Sequence, residues 1–347
     1  MGKWVNQPVV AQIAAVARPI LAADVGGTHA RVALVIRHAD PRQPVQVLAQ
    51  GRYAGAEWPS LDAILKDFLT AQADAAPLGI ERCAIAIAGY VLGDEVANSN
   101  LPWRVSLSSI RAATGAEVLD VVNDFEAVAF ASQFVDRETT TTILPGAPTH
   151  AKGPVVVMGP GTGLGSAVLL PGATHAQVLS TEAGQIALAP GDEREIAIMR
   201  ILARTRSYVS VESIVSGPGL LATYRALAEL NGSEAVCLTP DAVSAAGLAG
   251  ADANAREALD VFCAVLGGFT ADLAMLYGAH GGVFLAGGIL PQLRDFLLAS
   301  HFRERFFNKG VMRPFLERVP VRLVEHGQLG VVGAATLHAG ARVGSAH

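Results

Sequence analysis

Cysteine is scarce in this chain: Cys83, Cys237 and Cys263 are its three, far apart among 347 residues. That spacing excludes a CxxC metal ribbon and a dense disulfide framework, and it fits a reducing, cytoplasmic setting. Charge is thin as well, at 16% of residues against 51% hydrophobic, so the chain buries apolar surface and is not disordered. There is no sustained Lys/Arg cluster and the net charge is -5, which removes the electrostatic footprint of a nucleic-acid binder. No stretch reaches the roughly 20 uninterrupted apolar residues of a membrane span. The short apolar run near the N-terminus is broken by Gln7 and Gln12, and residues 1–18 read as an extension, not a signal peptide. Low-complexity segments and short-period repeats are missing too.

What is abundant is glycine, with 36 residues and no collagen-like period. The informative ones follow short apolar runs: Ile20 to Asp24 leads into VGGT, Val155 to Met158 into GPGTGLG, and Val283 to Ala286 into GGI. A strand running into glycines makes a tight turn whose backbone a ligand can approach closely. Further strands are expected at Arg31 to Ile36, Cys83 to Gly89 and Glu117 to Asp124. A helix is expected where Leu61, Ile64, Leu65, Phe68 and Leu69 recur at helical spacing behind the cap Ser60. Asp192 and Glu195 have capping-box spacing, and Ala258 to Tyr277 is apolar nearly all round, as in a buried helix whose Gly267 and Gly268 allow close packing. The length suits two domains. Strands and helices alternate after a hairpin-rich start, and the scheme repeats from Val155. An α/β protein of two similar halves follows, with the boundary near Ser132 to Thr142.

Three segments can carry chemistry. In Asp24-Val25-Gly26-Gly27-Thr28 a carboxylate ends a strand, two glycines turn the chain and a hydroxyl follows. Such a turn can hold phosphate through backbone amides and Mg²⁺ through a water on Asp24; the same residues also suit an ordinary hairpin. The loop from Gly159 to Gly165, with Gly161, Thr162 and Gly163 at its centre, is a second candidate phosphate turn. It matches neither GxxxxGK[ST] nor GxGxxG, so Walker and Rossmann chemistry are unsupported. Asn123-Asp124, at the end of a strand, can bind a hydroxylated substrate and accept its proton, or Asp124 can simply cap the next helix.

Taken together, DVGGT, the NDF of residues 123–125, GPGTGLG, the SGPGL of residues 216–220 and the AGGI of residues 286–289 resemble, in order and spacing, the bacterial hexokinase-type glucokinases of the actin-like ATPase superfamily. The resemblance covers nearly the whole chain from about Leu21. It implies two actin-like (ribonuclease H-like) α/β domains flanking a central cleft. These would be a small domain, 19–134, completed by a C-terminal helix, 326–347, and a large domain, 135–325. It further implies phosphorylation of glucose to glucose 6-phosphate by ATP with Mg²⁺. The nucleotide would lie on Asp24, Val25, Gly26, Gly27, Thr28, Gly161, Thr162 and Gly163, with Gly287 and Gly288 near the nucleoside. Asp124 would be the base at the sugar 6-hydroxyl, and Asn123, Glu182, Gln185 and Glu212 would bind sugar, although composition alone reads both glutamates as solvated loop carboxylates.

The chain departs from the family's pattern at three places. Gln185 stands where His is common and His29 where Asn is frequent, and AGYVLGD (residues 88–94) replaces the usual segment before NSNLPW (residues 98–103), a loop near the sugar in the family. A kinase for another hexose or an amino sugar, or a sugar-binding sensor with impaired turnover, are the alternatives these changes keep open. The related repressor/open-reading-frame kinases carry a cysteine-rich zinc motif, and the repressors among them an N-terminal helix-turn-helix; no cysteine lies between Cys83 and Cys237 here and about twenty residues precede the first strand, so neither zinc nor DNA binding is expected. The family's habit points to a homodimer.

Overall fold

The structure, a computed structural model, describes residues 18–40, 42–73, 79–97, 101–147, 153–172, 176–325 and 328–337. It divides into two compact units, Met1–Val135 with Gln328–His347, and Asp136–Gly327.

The first unit is built on a five-stranded sheet of order β3-β2-β1-β4-β8: β1 (Ile20–Val25), β2 (His29–Arg37), β3 (Val45–Ala54), β4 (Arg82–Ile87) and β8 (Val118–Val122). β1, β4 and β8 run parallel, and β1-β2-β3 form the antiparallel hairpins. A three-stranded sheet is made by β5 (Tyr90–Leu92), β6 (Glu95–Ala97) and β7 (Val105–Ser106). Three helices follow in this part of the chain: α1 (Leu61–Ala71), α2 (Leu107–Thr114) and α3 (Asp124–Ala131). Strand alternation assigns the faces. Leu21, Ala23, Val25, Ile85 and Ile87 pack with Leu61, Ile64, Leu65 and Phe68 of α1, the residues whose spacing predicted that helix; Ser60 caps it by accepting from the Ala63 N–H. The opposite face carries small side chains, Ala22, Ala33, Ala84 and Ala86.

The second unit holds a six-stranded sheet of order β12-β11-β10-β13-β14-β9: β9 (Thr141–Leu144), β10 (Val155–Pro160), β11 (Leu164–Leu170), β12 (Gln177–Thr181), β13 (Gly282–Leu285) and β14 (Val321–Leu323). Its helices are α4 (Glu193–Leu202), α5 (Gly217–Leu230), α6 (Pro240–Ala249), α7 (Ala253–Leu276), α8 (Arg294–Ala299), α9 (Phe302–Phe307) and α10 (Arg313–Leu316). α7 is long and apolar enough to cross a bilayer by length and composition, although no uninterrupted apolar run marked it. Most of it is buried in the unit's core, which accounts for its apolar residues on every side. Of its paired glycines only Gly267 is needed for packing. A Cβ there would stand 2.3 Å from the Phe302 carbonyl oxygen, whereas one at Gly268 would meet only an Arg305 nitrogen at 3.7 Å.

The capping box expected at α4 is altered. Asp192 accepts from the Glu195 N–H at 2.8 Å, but Glu195 reaches past the cap residue to the Gly191 N–H at 2.6 Å and pairs with Arg305 of α9 at 2.5 Å. Finally α11 (Leu329–Leu337) returns to the first unit and lies on its alanine-rich sheet face against α3. The close approach depends on Gly333, where a Cβ would overlap the Ala127 carbonyl.

Candidate active site

Within the first unit, the C-terminal ends of the parallel strands β1, β4 and β8 share one sheet edge, where α/β proteins place ligands. Asp24 comes from β1 and Asn123 and Asp124 follow β8. The strand expected to run through Asp124 ends at Val122, and Asp124 is the first residue of α3. The cap itself is Asn123, whose Oδ1 accepts from the Phe125 and Glu126 N–H groups at 3.0 and 3.1 Å. Capping thus takes the carboxamide oxygen and leaves the amide's N–H donors as the groups Asn123 can offer a ligand oxygen. Asp124 Oδ1 accepts from the Phe125 N–H at 2.9 Å, which orients its carboxylate.

The turn between β1 and β2 is closed by the Gly26 N–H donating to the His29 carbonyl at 3.0 Å. A Cβ on Gly26 would make only ordinary contact, so this glycine answers no packing demand; it keeps the backbone approachable. Asp24 faces Arg31 across the hairpin, with 3.4 Å between Arg31 Nη1 and Asp24 Oδ2. Burial pushes the Asp24 carboxyl above its ordinary value, and Arg31 opposes this only in part. One carboxylate with a neighbouring hydroxyl fits Mg²⁺, which keeps waters and takes phosphate oxygens in preference to an all-protein cage. Among the described residues no cluster of three or more His, Cys, Asp or Glu side chains forms a metal cage. His29 Nδ1 lies 3.1 Å from the Thr28 hydroxyl, and burial with Arg52 and Arg31 lowers its pKa, so it stays neutral near pH 7.

Two features of this unit escaped the sequence. The Gly55 N–H donates to the Thr28 carbonyl at 2.9 Å and Trp103 Nε1 donates to the Gly55 carbonyl at 3.0 Å, tying the loop before α2 to the 24–28 turn. A Cβ on Gly330 of α11 would stand 2.4 Å from Asp24 Cγ, so this helix touches the carboxylate only because the residue is glycine. The i, i+3 pair of glycines in LGVVGAA was the available signal. AGYVLGD forms β5 and the turn to β6, with Tyr90 and Leu92 exposed; the start of the NSNLPW loop, residues 98–100, lies outside the described residues.

In the second unit the 161–163 turn joins β10 to β11. The Gly217 N–H, at the start of α5, donates to the Gly161 carbonyl at 2.9 Å. No atom lies within 4 Å of a Cβ placed on Gly161 or on Gly288, so both backbones are open to approach. Gly287 has φ +96° and its Cβ would stand 2.6 Å from the Pro160 carbonyl oxygen, two reasons for glycine where β13 leaves the sheet beside this turn. β12 runs parallel to β10, so Glu182, which follows it, emerges at the same edge. Glu182 and Gln185 are placed at either end of a 3-10 turn, Gln185 exposed. Gln185 Nε2 donates to Glu212 Oε1 at 2.9 Å, and Glu212 Oε2 accepts from the Leu164 N–H at 2.7 Å. Tyr208, which no motif marked, holds the Gln185 carbonyl through its hydroxyl at 2.9 Å. Each unit therefore presents one glycine turn beside polar groups suited to hydroxyls.

The Glucokinase family profile matches residues 21–341. A glucokinase-like protein of Xylella fastidiosa is 46% identical over 317 residues, 91% of this chain and 93% of its own. The glucokinase of Paramagnetospirillum magneticum is 40% identical, covering 92% of this chain and 97% of its own. Among solved structures, a glucokinase from an Antarctic psychrotroph is similar at a TM-score of 0.78 and 35% identity, over 93% of this chain and 99% of its own. The likeness places the chain in the actin-like ATPase fold. A Balamuthia mandrillaris glucokinase solved with glucose shares that fold at a TM-score of 0.77 and 20% identity, over 96% of this chain and 99% of its own.

Proposed function

The chain belongs to the glucokinase family, whose reaction is the transfer of a phosphoryl group from ATP to glucose, and we propose that Asp124 is the base that takes the proton from the sugar 6-hydroxyl. The observation that carries this reading is the position of Asp124. It opens α3 on the same sheet edge as the 24–28 turn, and the Phe125 N–H orients its carboxylate. Phosphoryl transfer needs little covalent help from a protein, which must hold the acceptor oxygen in line and stabilise charge. Asn123 donates to a sugar oxygen, Glu182 accepts from sugar hydroxyls, and Gln185 and Glu212 are further candidate sugar contacts. The amides of the 24–28 and 161–163 turns receive phosphate oxygens, and Gly287 and Gly288 give the nucleoside a close backbone approach. Asp24 would hold Mg²⁺, and the cation would neutralise charge on the phosphates. A cytoplasmic homodimer completes the reading, and light scattering of the purified protein tests the dimer.

The test is a coupled ADP-release assay over a panel of hexoses and amino sugars. Glucose turnover should fall by roughly 10²- to 10⁴-fold in Asp124→Asn while its melting temperature stays near that of the parent. Near-normal turnover in that variant would overturn the base assignment. The exposed Gln185 favours one second reading, preference for another hexose, which the panel reveals as a faster sugar than glucose.

A further inference from the structure

We propose that Glu212 is a positioning residue that joins the sugar pocket to the phosphate turn, so that sugar and nucleotide binding are coupled through one carboxylate. Both of its oxygens are engaged inside the protein, one by Gln185 Nε2 at 2.9 Å and the other by the Leu164 N–H at 2.7 Å. Leu164 is the first residue after the 161–163 turn. On its far side the turn is held by the Gly217 N–H on the Gly161 carbonyl at 2.9 Å. The carboxylate passes so close that a Cβ on Gly163 would stand 2.7 Å from Oε2, which gives that glycine its reason. The sugar-side turn is pressed onto the same residue: a Cβ on Gly184 would stand 2.3 Å from the Leu164 carbonyl oxygen. Leu164 therefore meets the Glu212 carboxylate through its N–H, while its carbonyl lies against the turn that presents Glu182 and Gln185.

Hydrogen bonds to a carboxylate are charge-assisted, and donors sharing one acceptor group influence each other. A sugar hydroxyl that donates to Glu212 changes how strongly the carboxylate holds the Leu164 N–H, and with it the setting of the phosphate turn. Gln185 has no ionisable group, so its side of the link does not switch off near neutral pH. By linkage, whatever factor the sugar contributes to nucleotide affinity, the nucleotide returns to the sugar. The inference rests on the reading of residues 161–163 as a phosphate turn.

Calorimetry with a non-hydrolysable ATP analogue and Mg²⁺, with and without saturating glucose, tests it on the whole protein. In Glu212→Ala, analogue affinity without sugar should drop about 10-fold, the factor for one lost charge-assisted hydrogen bond, and glucose should no longer alter it. Glu212→Gln keeps a carboxamide oxygen for the Leu164 N–H, so its sugar-free analogue affinity should stay within about 3-fold of the parent. Gln185→Ala should leave sugar-free analogue binding near normal and shrink the effect of glucose. Parent-like analogue binding in Glu212→Ala, with loss confined to glucose, overturns the proposal, as does equal weakening in Glu212→Gln and Glu212→Ala. Absence of glucose-dependent ADP release from the parent would instead strike the glucokinase reading, while the sugar-free analogue series still decides whether the clamp exists.

Discussion

Alanine placed at Gly267 and at Gly268, neighbours in α7, should move stability in opposite directions. In a helix interior either change gains roughly 1 kcal/mol of intrinsic propensity. At Gly268 the new methyl meets only Arg305 Nη2 at 3.7 Å, an ordinary contact, so a gain of about 0.5–1 kcal/mol should survive. At Gly267 it would stand 2.3 Å from the Phe302 carbonyl oxygen and 2.9 Å from its Cα. A comfortable carbon to oxygen approach is roughly 3.3 Å, so α9 must retreat by about 1 Å. That retreat loosens Phe302 and Phe306, both fully buried, and pulls on the Arg305 contact with the buried Glu195. Overpacking of this kind costs about 1–3 kcal/mol, which exceeds the propensity gain over most of that range.

The two units provide a built-in control. Both described tryptophans, Trp58 and Trp103, belong to the first unit and residues 136–327 contain none, so tryptophan fluorescence follows the first unit, while the far-UV circular dichroism of the long helices α5 and α7 follows the second. Two-unit proteins need not unfold in one step, which makes parallel probes necessary. Urea melts should show the dichroism midpoint lowered in Gly267→Ala and raised in Gly268→Ala, with the fluorescence transition shifted far less. Shifts of the same sign in both variants would refute the packing argument.

Two further outcomes follow from the ionisable groups. Folding raises the Asp24 pKa through burial, so its ionised form costs stability once pH rises through that raised value, and the cost disappears below the ordinary 3.8. Asp24→Asn should therefore raise the melting temperature of the nucleotide-free protein at neutral pH while abolishing Mg²⁺-dependent turnover; a lower melting temperature at neutral pH would contradict it. His301 moves the other way for stability, because the hydrogen bond and charge of Asp260 raise its pKa above 6.5. That contribution is complete below 6.5 and fades as pH rises through the folded value. Asp260→Asn should lower the melting temperature slightly in mildly acidic buffer and hardly at all in alkaline buffer, by less than about 1 kcal/mol given the exposure of the pair. An equal loss at both extremes would point to packing in place of charge.

Which parts of this could be read from the residues follows from the range of the forces involved. β1, β10 and β13 were visible because each is a run of apolar residues ending in glycine, and α1 because five apolar residues repeat at helical spacing behind a serine. These are local patterns. The choice of Asn123 over Asp124 as the cap of α3 was not visible, since either residue type can cap and one position decides which backbone N–H groups lie within reach. Gly267 and Gly268 are identical in sequence terms, and only the path of α9 separates them.

The glycines of the site divide in the same way. Within the 161–163 turn the reasons for glycine differ from one position to the next. Gly161 has no neighbour that forbids a side chain, while Gly163 is forbidden one by Glu212, a residue distant in the chain. Gly330 is likewise required by Asp24, from the opposite end of the sequence. Gly161 and Gly288 are thus open to approach, whereas Gly163 and Gly330 make room for the Glu212 and Asp24 carboxylates. The Glu212 carboxylate reaches the Leu164 N–H only because Gly163 leaves it room, whereas at Gly330 a Cβ would run into Asp24 Cγ itself.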